Sequence, residues 1–142
     1  MRLTERRRVR RPQPKAFSYT ADFSNIEKWD PSIVASRRIG EGPLGVGSRF
    51  TLDVRFGNRV LPMTYEITSY EPYDRVVLIG KGATLDATDE INFRTEGDET
   101  VIDYKADLSF HKLLRYLAPV KSPLMKRTGR RALDGLVAAL DR

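Results

Sequence analysis

Arg49-Phe50-Thr51-Leu52-Asp53-Val54-Arg55-Phe56, followed by Gly57-Asn58, opens the part of the chain that decides the fold. Phe50, Leu52, Val54 and Phe56 alternate with polar neighbours, the period of two of a strand with one buried face. Gly57-Asn58 is a hairpin signal. The chain returns with Leu61, Met63, Tyr65 and Ile67 alternating, and Pro62 in that run marks a sheet edge or a bulge. Glu71-Pro72-Tyr73-Asp74 turns into Val76-Val77-Leu78-Ile79. Leu85, Ala87, Asp89, Ile91 and Phe93 share one face of the next predicted strand. After the Gly97-Asp98 turn, Ile102, Tyr104, Ala106, Leu108 and Phe110 share one face of the last. From Arg49 to His111, strand follows strand.

Downstream of Leu113 the pattern turns helical, with a short piece first because Pro119 and Pro123 interrupt it. The main helix is predicted from about Ser122, as N-cap, with Pro123 at the first helical position. Leu124, Met125, Thr128, Ala132, Leu133, Leu136, Val137 and Leu140 form its apolar stripe, and Lys126, Arg127, Arg130 and Arg131 lie mostly off it. Gly129 and Gly135 each weaken such a helix by about 1 kcal/mol relative to Ala, a cost that suits close packing or a bend. Upstream, residues 3–11 read as a first strand ended by Pro12 and Pro14, and residues 15–22 as a short helix. Ser24 is expected to cap a second short helix, with Glu27 at capping-box spacing. Ile26 and Trp29 share its face, and Pro31 ends it. Residues 32–39 read as a strand, and a link rich in glycine leads on to Arg49.

The expectation is an α+β fold in which a curved antiparallel sheet of six to seven strands wraps around one long C-terminal helix. Two short helices follow the first strand, and residues 1–142 form one domain. A curling sheet has a concave apolar face that needs a cover. One helix supplies it and leaves room beneath, so a cavity for an apolar small molecule is expected.

Composition narrows the function. Apolar content is 40% and charged content 31%, ordinary for a globular protein. No apolar run approaches the roughly 20 residues of a membrane span, and the basic start of the chain has no apolar stretch to make it a secretory signal. Absent cysteine excludes disulfides and thiolate metal sites, and a single histidine, His111, excludes a histidine-rich one. No metal or cofactor is expected, and the cytoplasm is the default location. The net charge of +6 is local: residues 1–15 carry seven basic side chains against Glu5, and the rest balance at 18 of each sign. Such a run reads either as a solvated strand edge or frayed terminus, or as a contact for phosphates, an anionic membrane surface or an acidic partner. With no aromatic before Phe17, no nucleic-acid partner is expected. A homodimer is compatible with the sequence but not required by it.

Several stretches carry a resemblance. Phe17-Ser18-Tyr19 leading to Asp22-Phe23-Ser24-Asn25 and Trp29-Asp30-Pro31 resembles the start of polyketide cyclase/dehydrase-like proteins of the START-like (Bet v 1-like, SRPBCC) superfamily. Gly45-Val46-Gly47-Ser48-Arg49-Phe50, Tyr70-Glu71-Pro72-Tyr73-Asp74-Arg75-Val76 and Gly129-Arg130-Arg131-Ala132-Leu133-Asp134-Gly135-Leu136 are similar to that group's glycine turn, mid-sheet turn and closing helix. The resemblance implies the helix-grip fold. It also implies either binding of a lipid-, aromatic- or polyketide-like molecule between sheet and helix, or cyclase, aromatase or dehydrase chemistry there. Fold does not choose between the two.

Asp89 is the pointed anomaly, a carboxyl on an apolar face. It reads as a general acid/base or ligand anchor, or else as a buried ion pair or a bulge that turns it outward. Tyr65 and Tyr104 read as hydroxyls that orient a ligand or as core tyrosines with wet tips. If the protein is an enzyme, Asp89, Tyr65 and Tyr104 are the candidate proton-handling groups. The expected ligand-binding wall is Trp29, Phe50, Leu52, Val54, Met63, Tyr65, Ala87, Asp89, Phe93, Tyr104, Met125 and Leu133. His111, by parity, faces away. No phosphate-binding, serine-hydrolase or dinucleotide motif is present.

Overall fold

The computed structural model describes residues 1–111 and 122–142. Seven antiparallel strands form one curved sheet: β1 (Arg2–Val9), β2 (Ile33–Ile39), β3 (Arg49–Phe56), β4 (Arg59–Glu71), β5 (Arg75–Gly82), β6 (Leu85–Glu96) and β7 (Glu99–Phe110). Their order across the sheet is β1-β7-β6-β5-β4-β3-β2. Between β1 and β2 lie helix α1 (Gln13–Ala21) and a 3-10 helix (Phe23–Lys28), and the sheet grips a terminal helix α2 (Ser122–Leu140). The expected short helical piece around Leu113 and Pro119 lies outside the described residues. No described helix is long and apolar enough to cross a membrane.

The period-two reading survives in the registers. Asp89 stands opposite Ala106, and Tyr104 opposite both Ile91 and Glu5. A register shift between Ile67 and Ser69 inserts Thr68 as an extra residue in β4. Such a bulge reverses parity beyond it, which brings Tyr70 inward, 5.3 Å from the Phe17 ring. Pro62 sits where β4 runs past its last pair with β5, Met63 with Gly82, so its missing N–H is tolerated at a local edge.

Two local expectations are corrected. The cap of the 3-10 helix is Asp22, whose carboxylate accepts from the Ser24 N–H (3.0 Å) and hydroxyl (2.6 Å). Glu27 makes no capping box and instead accepts from the Ser36 N–H at 3.0 Å, tying the 3-10 helix to β2. The first strand, sparse in apolar residues, nevertheless alternates: Leu3, Glu5, Arg7 and Val9 turn inward. The outward Arg2, Arg6 and Arg8 meet Asp107, Asp103 and Glu96 at 2.5–2.9 Å. Such exposed pairs add little to stability, and they neutralise much of the arginine run within the sheet itself.

Helix α2 is pinned at its C-terminal end. The Arg10 N–H donates to Asp141 (2.8 Å), and the Arg11 guanidinium donates to the Leu140 and Arg142 carbonyls, where a cation also complements the helix dipole. Gly135 sets how close the helix lies. A Cβ there would overlap the Trp29 carbonyl oxygen, so the helix touches backbone at that point.

Candidate functional site

Beneath the first half of α2 lies a cavity of about 170 Å³. Its roof is Leu124, Met125, Thr128, Gly129, Ala132 and Leu133 of α2, and its floor comes from the sheet's concave face. Strand parity delivers Leu52 and Val54 from β3, Met63 and Tyr65 from β4, Leu85 and Asp89 from β6, and Tyr104, Ala106 and Leu108 from β7. The end of the 3-10 helix and the loop after it supply Ile26, Trp29, Asp30 and Ser32.

Asp89 and Tyr104 meet on that floor. They are diagonal neighbours across β6 and β7, a spacing long side chains can bridge, and the Tyr104 hydroxyl donates to Asp89 Oδ2. Asp89 is 7% exposed. Burial pushes its carboxyl up to about 7, the Asp30 charge adds to that, and the Tyr104 hydrogen bond opposes it. Tyr104 is driven well above its ordinary value by burial first and the Asp89 charge second. Tyr65 is raised well above its ordinary value by burial, with smaller contributions from Asp89 and Asp30. Its ring lies flat over Gly80, its cross-strand partner, where a Cβ would come within 2.5 Å of the ring.

Asp30 is a second carboxyl on this wall. Burial raises its pKa, against hydrogen bonds from the Ser32 N–H (2.9 Å) and hydroxyl (2.8 Å) to Oδ1. Trp29 is 3% exposed, its indole N–H has no acceptor among the described residues, and its ring lies 6.4 Å from that of Tyr104. The arrangement can hold an apolar body against aromatic and aliphatic walls and meet one polar group with Asp89. With its carboxyl near neutrality, Asp89 can donate as an acid or accept as a carboxylate.

Of the expected wall, Trp29, Leu52, Val54, Met63, Tyr65, Asp89, Tyr104, Met125 and Leu133 line the cavity. Phe50, Ala87 and Phe93 are buried without reaching it. Phe50 packs near Phe23 at 6.2 Å and Phe93 on Phe17 at 5.2 Å. Parity selects a face of the sheet but not the end of that face where the room lies. His111 is exposed, with Nδ1 2.9 Å from the Ala83 carbonyl oxygen and Nε2 3.4 Å from Asp86. Sequence reasoning missed Asp30, Ser32, Leu3 and Glu5 as wall residues. The Asp30-Pro31-Ser32 spacing of an Asx turn and the alternation hidden inside the arginine run were the available signals.

The family model described as "polyketide cyclase / dehydrase and lipid transport" matches residues 1–141, and the chain belongs to that family. No curated protein matches the chain by sequence. Among solved structures the chain is similar to the Zhui aromatase/cyclase of a Streptomyces species, at 11% identity and TM-score 0.83, covering 100% of this chain and 94% of that one. It is similar to the protein TTHA0849 of Thermus thermophilus, at 14% identity and TM-score 0.80, covering 99% and 97%. It is also similar to a START superfamily protein of Mycobacterium smegmatis, at 19% identity and TM-score 0.73, covering 99% and 94%. At these identities the likeness concerns the fold.

Proposed function

We propose that the protein binds a compact hydrophobic molecule, one aromatic ring or its aliphatic equivalent in size, in the cavity under α2. The observation that carries this reading is a largely apolar hollow of about 170 Å³ with a buried, hydrogen-bonded acid, Asp89, on its floor. An apolar cavity of about 150 Å³ accepts benzene, so this one has room for a ring and a short substituent. The cytoplasm remains the working location, on composition alone, and a homodimer remains open to measurement of mass in solution.

Native mass spectrometry of freshly purified protein tests the reading. The wild type should carry or take up a small apolar molecule that Gly129→Leu and Ala106→Leu, which fill the hollow from roof and floor, exclude. Equal loading of all three proteins would place the ligand elsewhere.

A second reading, proton-transfer catalysis of the cyclase or dehydrase kind, is favoured by one observation: the Asp89 carboxyl sits near 7, beside a tyrosine hydroxyl in a shielded hollow. On that reading Asp89→Asn abolishes turnover of a bound ketone while the ketone still binds. Unchanged turnover in that variant would end it.

A further inference from the structure

We propose that the cavity selects its ligand by charge: it takes a compact aromatic molecule bearing an ammonium group and refuses the matching carboxylate. The inference rests on the small-molecule reading above and names the class of molecule.

The carboxyls of the wall are short of cations. Tyr104 donates to Asp89 Oδ2 and Ser32 to Asp30 Oδ1, while the other oxygen of each acid accepts nothing among the described residues. The third wall acid, Glu5, is answered by Arg7 at 2.9 Å. Among the described residues Arg55, exposed, is the one cation at the wall, and α2 contributes only uncharged side chains to the roof. A ligand carboxylate placed here meets like charge with only the exposed Arg55 to offset it, whereas an ammonium finds two open acceptors.

The rings supply an independent reason. Trp29, Tyr65 and Tyr104 share the wall with these acids. The planes of Trp29 and Tyr104 stand at 70° to one another, two sides of a box. Electron-rich ring faces attract cations, Trp most strongly, and such boxes are how ammonium ligands are recognised.

The preference carries a pH signature. The titratable and charged groups that share the wall with Asp89 are Asp30 from the loop before β2, Tyr65 from β4, Tyr104 from β7, Glu5 from β1 and Arg55 from β3, and among them Tyr104 and Asp30 act on Asp89 directly; α2 adds no charged group. As pH rises through 7 the Asp89 carboxyl loses its proton while an alkylammonium keeps its own, so the preference grows.

Isothermal titration with benzylamine, benzyl alcohol and benzoate, at pH 6 and pH 8, tests it. Benzylamine should bind about tenfold more tightly than benzyl alcohol at pH 8, less so at pH 6, and benzoate should not bind. Asp89→Asn should bring amine and alcohol to within about threefold of each other, and Asp30→Asn should narrow the gap in the same direction and keeps the test available if the first variant does not fold. An alcohol that binds as tightly as the amine, or a bound benzoate, would overturn the charge rule and leave the small-molecule reading standing. Failure of all three probes would overturn both.

Discussion

Under α1 the concave face of the sheet is filled, whereas under the first half of α2 it is left open. At the filled end Phe17 lies 5.2–5.8 Å from Tyr70, Tyr73 and Phe93, all edge-on, and Phe23 sits on Phe50 and Tyr65. At the open end the corresponding positions are small: Ala106 on β7, and Gly129 and Ala132 on α2. The same strands serve both ends. On β6, Phe93 belongs to the packed side and Asp89 to the hollow; on β7, Ile102 is buried in the core cluster while Ala106 and Leu108 line the hollow. At about 24 cal/mol per Å³ of void, leaving 170 Å³ unfilled forgoes at most on the order of 4 kcal/mol of packing. The fold tolerates that loss because its other end is packed densely. On the proposed reading, dense packing under α1 supports a ligand site under α2.

Breaking the packed end should cost most. Phe17→Ala removes a fully buried ring with three aromatic neighbours, and urea unfolding should show a loss of about 3–5 kcal/mol. A ligand in the hollow should still bind this variant wherever it remains folded. A loss of binding equal to the loss of stability would show that the two ends are not separate.

Next in size is the pH dependence set by the open end. Asp89 has a folded pKa raised to about 7 from the usual carboxylate range, so between about pH 4 and pH 7 the folded state holds a proton that the unfolded state has released. Stability contributed by that proton is complete below about pH 4 and is lost as pH rises through 7, by no more than about 4 kcal/mol. Asp89→Asn should flatten this fall, read by denaturant midpoints across the range. An unchanged slope would mean that Asp89 is not desolvated.

The two glycines of α2 sharpen the contrast. Gly135→Ala drives a methyl into the Trp29 carbonyl and should cost about 2–3 kcal/mol despite the better helix propensity. A Cβ added at Gly129 would meet only the Leu3 side chain, at 3.7 Å, an ordinary van der Waals distance, so Gly129→Leu starts from open space. It should raise stability by about 1 kcal/mol in thermal melts through propensity while removing room for ligand. Opposite signs in one helix are the mark of a packed end beside an empty one, and equal signs would erase the distinction.

Much of the sheet could be read from the chain because a period of two leaves few choices. Phe50 to Phe56, Leu85 to Phe93 and Ile102 to Phe110 face as their alternation dictates. What alternation cannot convey is depth along a strand, which puts Phe50 and Phe93 with the packed end, while Ala87, between the wall residues Leu85 and Asp89, is buried without reaching the hollow. The parity reversal at Thr68 arises from a bulge that no local residue announces. Asp30 was hidden because it comes from a turn, where periodicity says nothing. The inward alternation of Leu3, Glu5, Arg7 and Val9 was hidden because its polar members pair with each other and with the helix: Arg7 binds Glu5 and Asp134.

The central claim, that the hollow is available to a small apolar molecule, can be read from one side chain. Trp29 is the chain's single tryptophan, and it lies on the cavity wall with its indole N–H unengaged among the described residues. Titrating benzyl alcohol while recording Trp29 emission should give a saturable spectral change in the wild type and none in Gly129→Leu. A wild-type spectrum that stays flat, or one that changes identically in the filled variant, would contradict the account.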